Sequence, residues 1–148
     1  MSSFAVEITI DAPTEKVWET LADIGTIYRW NPGVVESHTT SDTEKGLGAT
    51  RYCDLGGKNF LDEEVVTWKP NEQITMRITD TNMPFKTADI RFYLREEDGK
   101  TAVTCSPDYT LKYGPIGSLM GKLMVHNTYR NGMESLLRGL KQYVEEEN

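Results

Sequence analysis

The stretch IGSLMGKLMVHNTYRNGMESLLRGLKQYVEE, residues Ile116–Glu146, decides the fold. Leu119, Leu123, Met133, Leu137, Leu140 and Val144 recur at helical spacing on one arc, flanked by Leu136 and Tyr143. The average helix runs about 11–12 residues, so this one is long. An apolar stripe of that length must be covered by something else in the chain.

The cover lies immediately upstream, where the period of the pattern is two. Strands are expected over 34–40, 48–55, 60–68, 73–79, 85–94 and 101–111. Ile74, Met76 and Ile78 share one face, as do Ala88, Ile90, Phe92 and Leu94. Turn chemistry separates them: Lys45-Gly46-Leu47-Gly48, Gly56-Gly57, Lys69-Pro70-Asn71-Glu72, Asn82-Met83-Pro84, and the hairpin signal Asp98-Gly99. Before them, Phe4–Ile10 alternates as a half-buried strand. Asp11-Ala12-Pro13-Thr14 then starts a helix with Val17, Trp18, Leu21 and Ile24 on its apolar stripe. A short helical piece, 26–30, ends at Asn31-Pro32-Gly33. A long helix after consecutive antiparallel strands buries its stripe by lying in the concave face of their sheet. The expected class is therefore α+β, a helix-grip fold. It has about seven strands in the order β-α-α-β6-α round a long C-terminal helix with a central cavity, all in one domain, 1–148. Tyr113-Gly114-Pro115 is read as a hinge into the helix.

Composition narrows the function classes. The chain has 148 residues, 38% of them hydrophobic and 26% charged, with a formal net charge of −7. Phosphate binding needs clustered Lys and Arg, so no nucleic-acid partner is expected. The same charge disfavours electrostatic docking on an anionic membrane face. No apolar run reaches spanning length and the first residues lack a basic-then-apolar leader, so a cytoplasmic protein without integral membrane association is expected. Cys53 and Cys105 read as free core thiols. Two histidines and two cysteines without close spacing give no metal signature, and neither a phosphate loop nor a nucleophile elbow is present, so no metal and no cofactor are expected.

Several segments carry a resemblance that spans essentially the whole chain: IDAPTEKVW at 10–18, YRWNP at 28–32, GLGATR at 46–51, EEVV at 63–66 and YGPIG at 113–117. The pattern resembles the superfamily of START lipid-transfer domains, birch-pollen-type allergens and polyketide cyclases, and is most similar to the polyketide cyclase/dehydrase branch. That resemblance implies a cavity between sheet and helix for an apolar ligand. It implies no particular reaction, because such folds host carriers, receptors and enzymes alike.

Three groups of residues are candidates for the site. His126 and Arg130 lie between Leu123 and Met133 on the arc expected to face the sheet, where a buried cation is costly unless paired or lining a cavity. The bland alternative has Arg130 reaching past the edge of the arc and His126 bonded to a neighbour. Alternation puts Ala49, Arg51, Cys53 and Leu55 on one face, and the allergen and hormone-receptor branch resembles this segment and turns its arginine toward the ligand. Glu64, on a face with Phe60, Val66 and Trp68, is the expected counter-ion, although Asp62 shares that face; the alternative is a surface ion pair. The third group, Trp30, Met76, Phe85, Phe92, Tyr109, Tyr129 and Met133, reads as core and cavity wall together. A strip of small residues, Gly121, Thr128, Gly132, Ser135 and Gly139, is assigned to the far side of the long helix, as a solvent face or a close-packing seam.

The leading expectation is a binder or carrier of a small apolar molecule, lipid- or polyketide-like, with a polar or acidic group held by Arg51, Arg130 or His126. A cyclase, aromatase or dehydratase using His126 or Glu64 in acid-base work is the alternative. A third reading is a protein- or lipid-surface module acting through the loops at Gly56-Gly57 and Met83-Pro84.

Overall fold

The computed structural model describes residues 1–112 and 119–147; the expected hinge at 113–115 and the residues leading into the helix lie outside them. The elements run β1 (Ser2–Ser3), β2 (Val6–Ile10), α1 (Thr14–Ala22), a kinked 3-10 segment (Ile24–Arg29), β3 (Glu36–Thr39), β4 (Thr50–Gly56), β5 (Asn59–Lys69), β6 (Gln73–Thr81), β7 (Phe85–Glu97), β8 (Lys100–Leu111) and α2 (Leu119–Glu146). All strand pairs are antiparallel. The order is β1-β8-β7-β6-β5-β4-β3, and β2 also pairs with β8. The helix-grip expectation holds, with β1 added at one edge and β3 shorter than its sequence pattern.

Alternation dictates which side chains form the core. Ile74, Met76, Ile90, Phe92, Leu94, Val103 and Cys105 point inward with Val6 and Ile10, and meet Leu136, Leu137, Leu140 and Val144 of α2. Trp18 of α1 meets Trp68 of β5 edge-to-face at 5.0 Å between ring centres. Asp98 and Gly99 both take positive φ, the backbone that a two-residue hairpin of matching twist demands.

One irregularity in β5 decides which side chains enter the concave face. Val65 pairs with Met76 but Thr67 pairs with Thr75, so Val66 is an extra, bulged residue. Past the bulge the parity inverts, which puts Trp68 on the same face as Val65, Glu63 and Leu61. Counting back from Trp68 by twos gives Glu64 instead, so the expectation of an inward Glu64 is corrected: Glu64 shares the convex face with Phe60 and Asp62 and pairs in register with Arg77.

The carboxyl-terminal end of α2 is tied down by close contacts. A Cβ on Gly139 would lie 2.1 Å from the Trp30 carbonyl oxygen, so only glycine lets the helix approach the segment 30–32 this closely. The Asp11 amide donates to Glu145 Oε2 at 2.8 Å, and Lys141 Nζ lies 2.6 Å from the same oxygen. These donors, the amide first, hold the Glu145 carboxyl below its ordinary pKa. The strip of small residues therefore does not form one solvent face: Gly139 is a packing contact, and Thr128 and Gly132 line a cavity.

Candidate functional site

Between the sheet and the amino-terminal half of α2 lies a cavity of about 400 Å³. That is within the range of about 300–1,000 Å³ typical of small-molecule sites. Its floor is Leu61, Met76, Ile78, Ile90 and Phe92 from β5, β6 and β7. Its roof is Val125, Tyr129, Met133 and Leu136 from α2, and its flank is Ile27 and Val34. The cavity opens where wall residues are exposed: Gly33 before β3, Pro84 between β6 and β7, and Met124, Thr128 and Gly132 on α2. Gly132 has no atom near the position a Cβ would take, so this glycine leaves the slot beside the helix open.

The wall carries a buried ion pair and, on α2, the buried Tyr129 hydroxyl, which has no hydrogen-bond partner among the described residues. Arg51 on β4 and Glu63 on β5 stand opposite in register, and Arg51 Nε donates to Glu63 Oε1 at 2.9 Å, with the side chains 6% and 3% exposed. Arg51 Nη1 donates to the Ile24 carbonyl at 3.0 Å, and Cys53 Sγ lies 3.8 Å from Glu63 Oε1. Burial alone would lower the Arg51 pKa, but Glu63 more than offsets it and the net direction is upward. Burial pushes the Cys53 thiol up to about 12 and raises Cys105 as well; both thiols are free and protonated. The pair is charged yet neutral as a unit. Among the described residues Arg51 Nη2 and Glu63 Oε2 have no hydrogen-bond partner, which leaves one donor group and one acceptor on the cavity-lining pair.

The other expected residues divide. Met76, Phe85, Phe92, Tyr129, Met133, Cys53 and Arg51 line the cavity. Trp30 does not: it is buried beside a separate 10 Å³ gap with Leu21, Ile74 and Arg51. Tyr109 stands behind the wall, its ring edge-on to Phe85 and Tyr129. His126 is also outside the cavity. Its Nδ1 lies 2.9 Å from the Tyr109 hydroxyl and its ring packs edge-on against Phe4, the arrangement of a satisfied structural histidine. Arg130 is exposed, pairs with Glu134 one turn on, and lies over the Phe4 ring. The structure therefore matches the alternative stated for this helix, with Arg130 past the edge of the arc and His126 bonded to a neighbour, and the inward placement is not met for one reason. The arc drawn through Leu119, Leu123 and Met133 is centred roughly one residue's rotation, about 100°, away from the Val125–Tyr129–Gly132–Leu136 face that meets the cavity. Leu123, at 56% exposure, shows the error directly.

Sequence reasoning missed Glu63, Thr128 and Gly132. A glycine in mid-helix costs about 1 kcal/mol relative to alanine, and that cost was the available signal for Gly132. No group of His, Cys, Asp and Glu suited to a metal ion occurs among the described residues.

The family model of polyketide cyclase/dehydrase and lipid transport proteins matches residues 1–145. The chain belongs to that family. No curated protein sequence matches the chain. Several solved structures share the fold at low identity. A Thermus thermophilus protein aligns over 99% of both chains at 20% identity with a TM-score of 0.83. A START superfamily protein from Mycobacterium smegmatis covers 99% of both at 18% and 0.79. The Zhui aromatase/cyclase from a Streptomyces species covers 97% of this chain and 93% of its own at 16% and 0.79. Likeness at these identities establishes the helix-grip fold of the family member.

Proposed function

We propose that this family member binds a small, predominantly apolar molecule in the cavity, and that the molecule's polar group is uncharged. The observation that carries the reading is the neutralised Arg51–Glu63 pair, the charged groups of a predominantly apolar wall that also holds the unpartnered Tyr129 hydroxyl. An acidic ligand would face Glu63 as well as Arg51, and a carboxylate stripped of water there has no net positive charge to meet it. A group that accepts one hydrogen bond and donates another, such as a primary amide or a hydroxy-carbonyl unit, matches Nη2 and Oε2 together. Of the polar or acidic group expected from sequence, the uncharged polar one is kept on this ground. Binding is favoured over catalysis because the two candidate catalytic residues, His126 and Glu64, both lie off the cavity.

Calorimetric titration with decanamide and decanoate, probes of equal chain length, tests this reading. The amide should bind at least about tenfold more tightly, a difference of about 1.4 kcal/mol. The double variant Arg51→Met/Glu63→Leu, which removes both charges together, should keep its fold and lose the preference. Tighter binding of decanoate, or binding of neither probe together with no bound small molecule by native mass spectrometry after purification from the protein's own host, would overturn the proposal.

A further inference from the structure

Three buried side-chain polar atoms have no hydrogen-bond partner among the described residues: Trp30 Nε1, Thr75 Oγ1 and the Tyr129 hydroxyl. Such atoms are uncommon in folded proteins, because a buried donor without an acceptor has lost its water and gained nothing in return. Trp30 stands beside the small separate gap. Thr75 lies between Ile74 and Met76 with the opposite parity, so it faces away from the cavity. Tyr129 alone of the three belongs to the cavity wall.

The fold holds this phenol in place and supplies it with no acceptor. Its ring meets Phe4 at 5.4 Å and Tyr109 at 5.2 Å, both edge-to-face, and Phe85 at 4.9 Å between ring centres. Turning the ring toward a new partner would give up these contacts. The neighbouring polar groups are already engaged: the Tyr109 hydroxyl with His126 Nδ1 at 2.9 Å, the Cys105 thiol with Met133 Sδ at 3.7 Å, and Glu63 Oε1 with Arg51 Nε. Burial first, then Cys105, Glu63, Tyr109 and Asp89, raise the phenol pKa well above its ordinary value, so the hydroxyl keeps its proton and is a donor. Elsewhere in the wall Asn31 is engaged with the Gly33 amide, and Thr128 is exposed at the opening. The deep part of the wall thus has two polar points, the ion pair on the sheet and the phenol on the helix.

We infer that the Tyr129 hydroxyl is a second anchor of the cavity, donating to an uncharged acceptor oxygen, a ketone or ester carbonyl, set within the apolar body of the ligand. The inference rests on the reading that the Arg51–Glu63 pair takes an uncharged polar group. It adds the class of molecule: one with two separated uncharged polar functions instead of a single polar end. A single-headed chain leaves the hydroxyl orphaned, whereas a carbonyl at the matching position removes a cost that the unliganded fold bears. Because three rings already fix the phenol, little side-chain freedom is lost when the bond forms. Tyr129 therefore selects for where along the ligand the carbonyl sits.

Calorimetric titration with 4-oxodecanamide, 6-oxodecanamide and 8-oxodecanamide, isomers of equal polarity, reads the position of this anchor. One isomer should bind the parent protein at least about fivefold more tightly than the other two, the effect of one net hydrogen bond. In Tyr129→Phe the three should fall within about twofold of one another, and decanamide should bind as it does to the parent. The same variant, freed of the orphaned hydroxyl, should melt about 2–4 °C higher without ligand. Equal binding of the three isomers to the parent, or a preference that survives in Tyr129→Phe, would overturn the inference. So would a lower melting temperature of Tyr129→Phe, which would show the hydroxyl already satisfied within the fold. In each of those cases decanamide binding leaves the uncharged-ligand reading standing, whereas failure of decanamide to bind the parent removes that reading and this one together.

Discussion

The two halves of α2 are built for different tasks. From Leu136 to Val144 the helix is welded to the sheet: Leu140 and Val144 are fully buried, and Gly139 seats the helix against the Trp30 carbonyl. From Met124 to Met133 the same helix stands off the sheet and roofs the cavity with Tyr129, Met133 and Val125, while Gly132 leaves a gap at the edge. Both halves carry apolar residues at helical spacing. The difference lies in what stands opposite: large interlocking side chains below the carboxyl-terminal half, and the Arg51–Glu63 wall with Met76 and Ile78 below the other. One continuous helix thereby anchors a fold at one end and holds a binding cavity open at the other.

Truncation tests that division most strongly. Leu140→Ala should cost about 2–5 kcal/mol in urea unfolding, because the surrounding core cannot collapse into the space left. Met124→Ala, at the exposed lip of the cavity, should stay within about 0.5 kcal/mol. Similar losses at both sites would mean that the halves are not distinct.

The glycines sharpen the comparison with a smaller effect of opposite sign. Gly139→Ala should destabilise by about 1–3 kcal/mol, since its Cβ would collide with backbone. Gly132→Ala should stabilise by up to about 1 kcal/mol through helix propensity alone, since its Cβ meets nothing. Gly132→Leu should fold equally well and, by filling the slot, slow or abolish decanamide uptake in the calorimetric titration. A destabilised Gly132→Ala, or unaltered uptake by Gly132→Leu, would contradict the role given to this position.

Much of the fold was legible in the sequence because period-two strands and a period-3.6 helix leave one arrangement that buries both. The site was legible only where no irregularity intervened. Arg51 and Cys53 lie on β4 before its register shift at Asp54–Gly56, and their inward alternation reads correctly. Glu63 was hidden by the bulge at Val66, which inverts parity between it and Trp68; a bulge of this kind has no residue signature in that segment. His126 and Arg130 were drawn inward because Leu119 and Leu123 were counted with the stripe, although Leu123 is exposed. A helix that changes from packing to roofing along its length has no single apolar arc, and the face toward the cavity is marked by a glycine and a threonine.

The most direct test of the central claim uses the methionines as reporters. Met76, Met83, Met124 and Met133 line the cavity from four different positions, whereas Met1 is 92% exposed away from it. Titration of methyl-labelled protein with decanamide, followed by methionine methyl NMR, should shift the resonances of those four residues together and leave Met1 in place. Saturation of the titration with Met76 and Met133 unmoved would contradict a ligand cavity beneath the amino-terminal half of α2.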